Sequence, residues 1–155
     1  MHAKDRKTGN QYRNKATVIG VLERDGELRA EHLPSATKAN IQKVVRDNVS
    51  TDARLITDRA QQYKSLTGEY NHHSVNHHLG EYVRGDIHTN SIESIWALFK
   101  RQVNGTHHWV SKKHLQAYVN EMTWRFNRRE MGEGERVNDL LKFVEGRLTY
   151  VELTA

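Results

Sequence analysis

The sequence predicts an α/β fold with mixed strand directions. Three observations carry that prediction. A β-branched apolar run at residues 16–23 is followed by an Asp-Gly pair and an alternating run, the pattern of an antiparallel hairpin. A second short β-branched run ends at Asp58 and is bracketed by helical stretches. From Thr89 onward the apolar residues recur at helical spacing. Strands first and helices last make a mixed sheet with helical cover.

The 155 residues fit one domain with a real core. Lys and Arg number 24 against 19 Asp and Glu, so 24 − 19 gives +5. With 36% hydrophobic and 28% charged residues of both signs, disorder throughout is excluded. A single Pro and ten Gly exclude collagen-like and Pro-rich classes. No apolar run approaches the ~20 residues that span a bilayer, and Met1–Lys7 has no secretory signal. The absence of Cys removes disulfides, thiol catalysis and Cys-based zinc ribbons, and fits a reducing cytoplasm.

Residues 1–15 carry Lys4, Arg6, Lys7, Arg13 and Lys15 against one acid, Asp5, and read as a basic arm. Ala16 to Glu23 reads as a buried strand, Asp25-Gly26 as its turn, and Leu28 to Leu33 as a partner with one wet face. Pro34 and Ser35 end that strand. Ser35 or Thr37 caps a helix over 37–48, whose apolar face is Ile41, Val44, Val45 and Val49. Residues 53–58 form a short strand and Arg59 to Leu66 a short helix. Tyr70 to His78 is His-rich with strand character.

Ile92, Ile95, Trp96, Phe99 and Val103 share a helix face that Asn104-Gly105 ends. Ser111 caps the next helix, with Leu115, Tyr118, Val119, Met122 and Phe126 as its face. Met131 to Gly134 breaks the chain, and Val137, Leu140, Leu141 and Val144 mark a last helix.

Two carboxylates stand out. Asp58 closes a buried strand, where open α/β sheets place their active sites; it also stands three residues before Gln61, as a helix N-cap would. Glu93 fits a capping box with Asn90. Yet Glu93 and Lys100 both lie roughly 80–100° from the centre of the apolar face, stacked at its margin rather than opposite it. Converging carboxylates suit Mg²⁺, a hard cation that keeps waters and takes substrate phosphate.

A basic cluster of Lys100, Arg101, Lys112, Lys113, Arg125, Arg128 and Arg129 attracts polyanions, nucleic acid foremost, or simply keeps the surface solvated. His72-His73 and His77-His78 offer imidazoles to zinc, but adjacent residues of a strand point to opposite faces. Polar surface and phosphate contact is the preferred reading. Trp124, opposite the Leu115–Phe126 face and beside arginines, either stacks on a base or packs a second buried face, and the second is preferred.

Several separated strings then occur in one order: Thr57-Asp58 with Tyr63, Val75-Asn76-His77, Gly80 to Val83, His88 to Arg101, Gly105 to Leu115, and Trp124 to Arg129. Together they resemble the catalytic domain of bacterial insertion-sequence transposases of the DDE class, in the group with an N-terminal zinc ribbon. The resemblance runs from about residue 15 to about residue 129. It implies a ribonuclease-H-like fold, a mixed sheet flanked by helices, with metal-dependent DNA end cleavage and strand transfer. It implies Mg²⁺ or Mn²⁺ as cofactor, and DNA, both transposon ends and target, as partner. A second copy is a further partner, with neither membrane nor small-molecule substrate, in a bacterial cytoplasm at the nucleoid.

By the same resemblance the second acid is Asp58 and the third Glu93, both catalytic and metal-binding, 93 − 58 = 35 residues apart. Lys100 matches the family's DNA-contacting base, and His88, Asn90, Arg101, Lys112, Lys113 and Arg128 join it as DNA-binding residues. The family's first Asp lies on a central strand upstream of the hairpin, and Asp5, in a basic context, does not replace it. The expectation is therefore a basic arm at 1–15, a catalytic domain at 16–130 lacking its first strand, and a helical tail at 131–155. Such a chain would be inactive alone, or a DNA-binding or interfering remnant.

Overall fold

In a computed structural model the described residues are 16–76, 80 and 82–144. The basic arm 1–15, His77, His78, Leu79, Glu81 and the tail beyond residue 144 lie outside them. The order is β1 (Thr17–Leu22), β2 (Leu28–Leu33), α1 (Lys38–Asn48), β3 (Arg54–Asp58), a 3₁₀ helix (Gln61–Gly68) and β4 (Asn71–Val75). Then come β5 (Val83–Arg84), β6 (Ile87–His88), α2 (Asn90–Gln102), a π-helical turn (Val103–His107), α3 (Leu115–Asn127) and α4 (Glu133–Leu141).

The hairpin forms as expected, from Thr17↔Leu33 to Leu22↔Leu28. Its tight turn spans Glu23 to Gly26, closed by the Gly26 N–H donating to Glu23 O at 3.0 Å. Asp25 takes the positive φ, 59°, a conformation Asp tolerates better than most residues. Alternation along β1 divides two cores. Ile19 and Val21 meet Ile41 and Val44 of α1 on one face. Val18 and Leu22 meet Ile95 and Phe99 of α2 and Val119 and Met122 of α3 on the other. The hairpin is thus the middle of three layers. Gly20 is required there, because a Cβ on it would lie 2.6 Å from Cζ2 of Trp96.

Thr37, not Ser35, caps α1 by accepting the Asn40 N–H. The same helix reaches the second sheet, where Val45 packs with Leu55, Leu66 and Tyr70. Tyr63 touches both clusters and joins them.

The expected single mixed sheet is instead three two-stranded ones among the described residues: antiparallel β1–β2, parallel β3–β4 and antiparallel β5–β6. Side chains rather than ladder bonds join them. Asp86, at the tip of the β5–β6 hairpin, pairs with Arg54 at the start of β3, and its backbone carbonyl accepts from Arg24 just past β1 at 2.8 Å. That tip turns at Gly85, whose φ of 63° suits the first central position of a II′ turn.

α3 lies along the outer edge of β2 and supplies what a neighbouring strand would. Asn127 accepts the Leu28 N–H at 2.8 Å and donates to Leu28 O at 2.9 Å. Gln116 accepts the His32 N–H at 2.6 Å and donates to Ala30 O at 3.5 Å. Two side-chain amides thereby cover an edge that would otherwise invite pairing with another chain.

Two expectations at helix ends need correction. Asn104-Gly105 does not stop α2, which widens into the π turn and ends at His108, φ 57°. The chain break expected through Gly134 closes at Gly132, and Gly134 sits inside α4. α4 forms where Val137, Leu140 and Leu141 recur, yet these residues are exposed and α4 buries none of its side chains. Its attachment is polar. Asp139 pairs with Arg128, whose guanidinium also lies 4.8 Å from the Trp124 ring and 5.9 Å from the Phe143 ring.

Candidate metal and nucleic-acid site

Asp58 ends β3 with an exposed side chain, while Leu55 and Thr57 behind it are buried. Its Oδ1 accepts the Ala60 N–H at 3.2 Å, a local turn that swings the chain out of the strand. The N-cap with Gln61 is therefore not formed. The 3₁₀ helix starts two residues too late for it, with Ala60 as its uncapped N-cap. Burial first, and the Asp58 charge second, push the Tyr63 phenol up, so a protonated hydroxyl-bearing ring flanks the carboxylate.

A polar row braces this strand end from behind. The Thr57 hydroxyl donates to Asp58 O at 2.7 Å, so toward His72 Nε2, 2.8 Å away, it accepts. That places the imidazole proton on Nε2 and leaves Nδ1 facing the Thr67 hydroxyl at 3.2 Å. Burial first, and the neighbouring His73 second, lower the His72 pKa. A lowered histidine pKa means that the unfolded chain takes up the proton first. The contribution of His72 to stability is complete above its ordinary value of about 6.5 and is lost as pH falls through the folded value. His72→Gln, which cannot titrate, is expected to flatten the fall in melting temperature below pH ~6.5 relative to the native chain; parallel curves would refute this role.

Glu93 stands in the first turn of α2, where the helix N-terminus favours negative charge. The expected capping box with Asn90 does not form. Thr89 is the N-cap, and its hydroxyl donates to Glu93 Oε1 at 2.6 Å. A Thr four residues before Glu93 was visible in the sequence, but the Asn-x-x-Glu pattern obscured it. The structure relates Asp58 to Glu93 through β6, which lies against β3 and β4 and runs into α2. Among the described residues no group of three or more His, Asp or Glu side chains converges as a metal cage.

The remaining candidates divide. Lys100 and Arg101 are exposed in the last turn of α2, and Lys112 and Lys113 in the turn before α3. Asn90 is exposed at the first position of α2, and His88 is half-buried with Nδ1 lacking a hydrogen-bond partner. Arg128 is the exception. Its half-buried guanidinium is held by Asp139, Trp124 and Phe143, so the structure gives this residue a scaffold role that the DNA-binding expectation did not contain. Trp124 is packed, as preferred from the sequence. An open groove of about 490 Å³ on α3, lined by His114, Ala117, Tyr118 and Glu121, includes neither carboxylate.

Comparison with known proteins gives these features a context. The model of the ISXO2-like transposase domain family matches residues 1–127. An uncharacterized transposase-like protein of Haemophilus influenzae is 28% identical over 120 residues, 75% of this chain and 92% of the relative. An uncharacterized protein in transposable element ISH50 of Halobacterium salinarum is 30% identical over 114 residues, 72% of this chain and 38% of the relative. No solved structure matches.

Proposed function

The chain belongs to the family of ISXO2-like transposase domains, and we propose that it serves DNA transposition through a DDE-type site in which Asp58 and Glu93 are two of the metal-binding acids. The observation that carries this reading is the placement of the two carboxylates. Asp58 is exposed at the end of β3, and Glu93 is exposed in the first turn of α2, the helix that directly follows β6, the strand lying against β3 and β4. The donor set fits Mg²⁺ or Mn²⁺. Both side chains offer hard oxygens, and such ions are held by one or two carboxylates with the rest of the shell left to water and substrate phosphate. When bound, such an ion supplies activation of an attacking oxygen and stabilisation of a leaving one in phosphoryl transfer.

This chain's own residues do the remainder. The Asx turn at Ala60 and the Thr57–His72 row hold the β3 end that bears Asp58. The Thr89 hydroxyl orients one oxygen of Glu93. Lys100, Arg101, Lys112 and Lys113 draw the phosphate backbone to that side, with Asn90 and His88 beside Glu93. A ribonuclease-H-like layout, transposon ends and target DNA as partners, a second copy of the chain and a cytoplasmic setting belong to the same proposal.

A second reading, a module that binds DNA without cutting it, is favoured by the lack of a third converging acid among the described residues. Calorimetric titration with Mn²⁺ separates the two. The chain is expected to bind the ion, and Asp58→Ala and Glu93→Gln each to abolish the heat of binding. No heat from the unmodified chain, or undiminished heat from both variants, would overturn the carboxylate site and leave the binding module.

A further inference from the structure

The three tryptophans have three different surroundings. Trp96 packs onto Gly20 in the core. Trp124 has its ring covered by Arg128, 4.8 Å away, and its indole N–H buried. Trp109 is 69% exposed, the most exposed of the large apolar residues described. An indole this open leaves unused a burial gain that a covering ligand would supply.

The segment that presents it is anchored rather than loose. His107, two residues before, packs edge-on to Tyr118 of α3 with ring centres 4.6 Å apart. His108 follows with φ 57°, and the Trp109 N–H donates to His107 O at 2.6 Å. Ser111 then closes the entry to α3 by accepting the His114 N–H. The backbone that carries the indole is thus held in a tight turn between two helices.

The chain around it is rich in cations, with Glu121 the acid that lines the groove beside His114 and Tyr118. No Asp or Glu occurs anywhere in residues 94–120, while Lys100, Arg101, Lys112 and Lys113 do. All four are exposed, as are His108 and His114. A ligand that meets both this indole and these cations is anionic and carries a flat apolar face. A nucleic-acid strand has both, but within a duplex the base faces are already stacked on one another, and only the edges and phosphates are offered.

We propose that Trp109 is a stacking platform for an unpaired base of bound DNA, with the flanking lysines on the adjoining phosphates. The inference rests on the DNA-binding part of the reading above and adds to it a preference for DNA with a frayed or single-stranded end. It also gives the stacking role, which the sequence reading weighed for Trp124 but set behind packing, to a different tryptophan.

Anisotropy titrations with a blunt duplex and with the same duplex bearing a short 3′ overhang, at one fixed salt concentration, test it. The unmodified chain is expected to bind the overhang more tightly, with quenching of tryptophan emission, because Trp109 is the exposed fluorophore. Trp109→Ala is expected to weaken overhang binding by about tenfold while changing blunt-duplex binding by less than about twofold. Trp109→Phe, which keeps a stacking face, is expected to fall between.

Equal binding of both DNAs by Trp109→Ala and the unmodified chain would overturn the proposal while leaving DNA binding intact. So would equal loss on both, or a shift from dimer to monomer in sedimentation, which would make Trp109 a protein contact. An unmodified chain that binds neither DNA would overturn this proposal together with the DNA-binding reading.

Discussion

Replacing Asn127 by Leu is expected to cost about 2–3 kcal/mol of stability, close to two unpaired backbone groups at the low end of ~1–3 kcal/mol each. The low end applies because both bonds are part-buried, so water partly replaces what is lost. In a domain of this size the change is read as a fall in melting temperature of about 5–10 °C. The reason is topological. Leu28 has a fully buried side chain in the main core, and its backbone N–H and C=O both end on one amide 99 residues away. Leu is near Asn in size but can neither donate nor accept, so it leaves the β2 edge open. Asn127→Asp keeps the acceptor for the Leu28 N–H and sets a carboxylate against Leu28 O, so it should also be destabilising. Arg125→Leu, which removes an exposed ion pair with Glu121 one turn back on the same helix, should change stability by less than about 0.5 kcal/mol. Equal melting of Asn127→Leu and the unmodified chain would mean that the amide is replaceable by water.

Arg128→Ala is expected to release α4 from the rest of the protein. The helix buries no side chain of its own, and its attachment runs through Arg128 to Asp139, with Phe143 near the same guanidinium. Hydrogen exchange should show residues 133–141 losing protection while α3 keeps it. Arg128→Lys should not rescue fully, since an ammonium has neither the planar fork nor the flat face that lies over Trp124.

The Asp139 carboxyl is held below the usual carboxylate range by its hydrogen bond from Arg128, with Lys142 adding to it. A carboxylate with a depressed folded-state pKa contributes stability that is complete above its ordinary value near 3.9. That stability disappears as pH falls through the folded value. α4 is therefore expected to stay docked from neutral pH down to the ordinary carboxylate range and to detach only at lower pH, as the depressed folded value is crossed. Unchanged exchange in α4 after Arg128→Ala would refute the latch. A fall in DNA affinity with α4 still protected would return Arg128 to the DNA-binding set.

The effect of local chemistry was readable before any coordinates. The Asp25-Gly26 pair, the β-branched run before it and the alternation after it make a hairpin because turn geometry and strand preference act over a few residues. The helical faces of α2 and α3 follow from periodicity, and Ile95, Phe99, Val119 and Met122 are buried where that periodicity put them. The position of Asp58 at a strand end and of Glu93 in a first turn belongs to the same class of information.

What lay beyond the sequence depends on who meets whom. Periodicity says that Val137, Leu140 and Leu141 share a face, but not whether another element covers it, and here they are exposed. The string Trp124 to Arg129 looks like a basic surface when read alone. In the fold Asn127 completes β2, Arg128 anchors α4, and Arg129 donates to Gly26 O in the hairpin turn at 3.3 Å. Trp109 and Trp124 are both flanked by cations in the chain, and only packing decided that one is covered and the other is open. Backbone propensity and side-chain period are local and come straight from residue order. Burial, strand-edge cover and the partner of each polar group are set by contacts across as many as 99 residues, where tertiary packing alone decides.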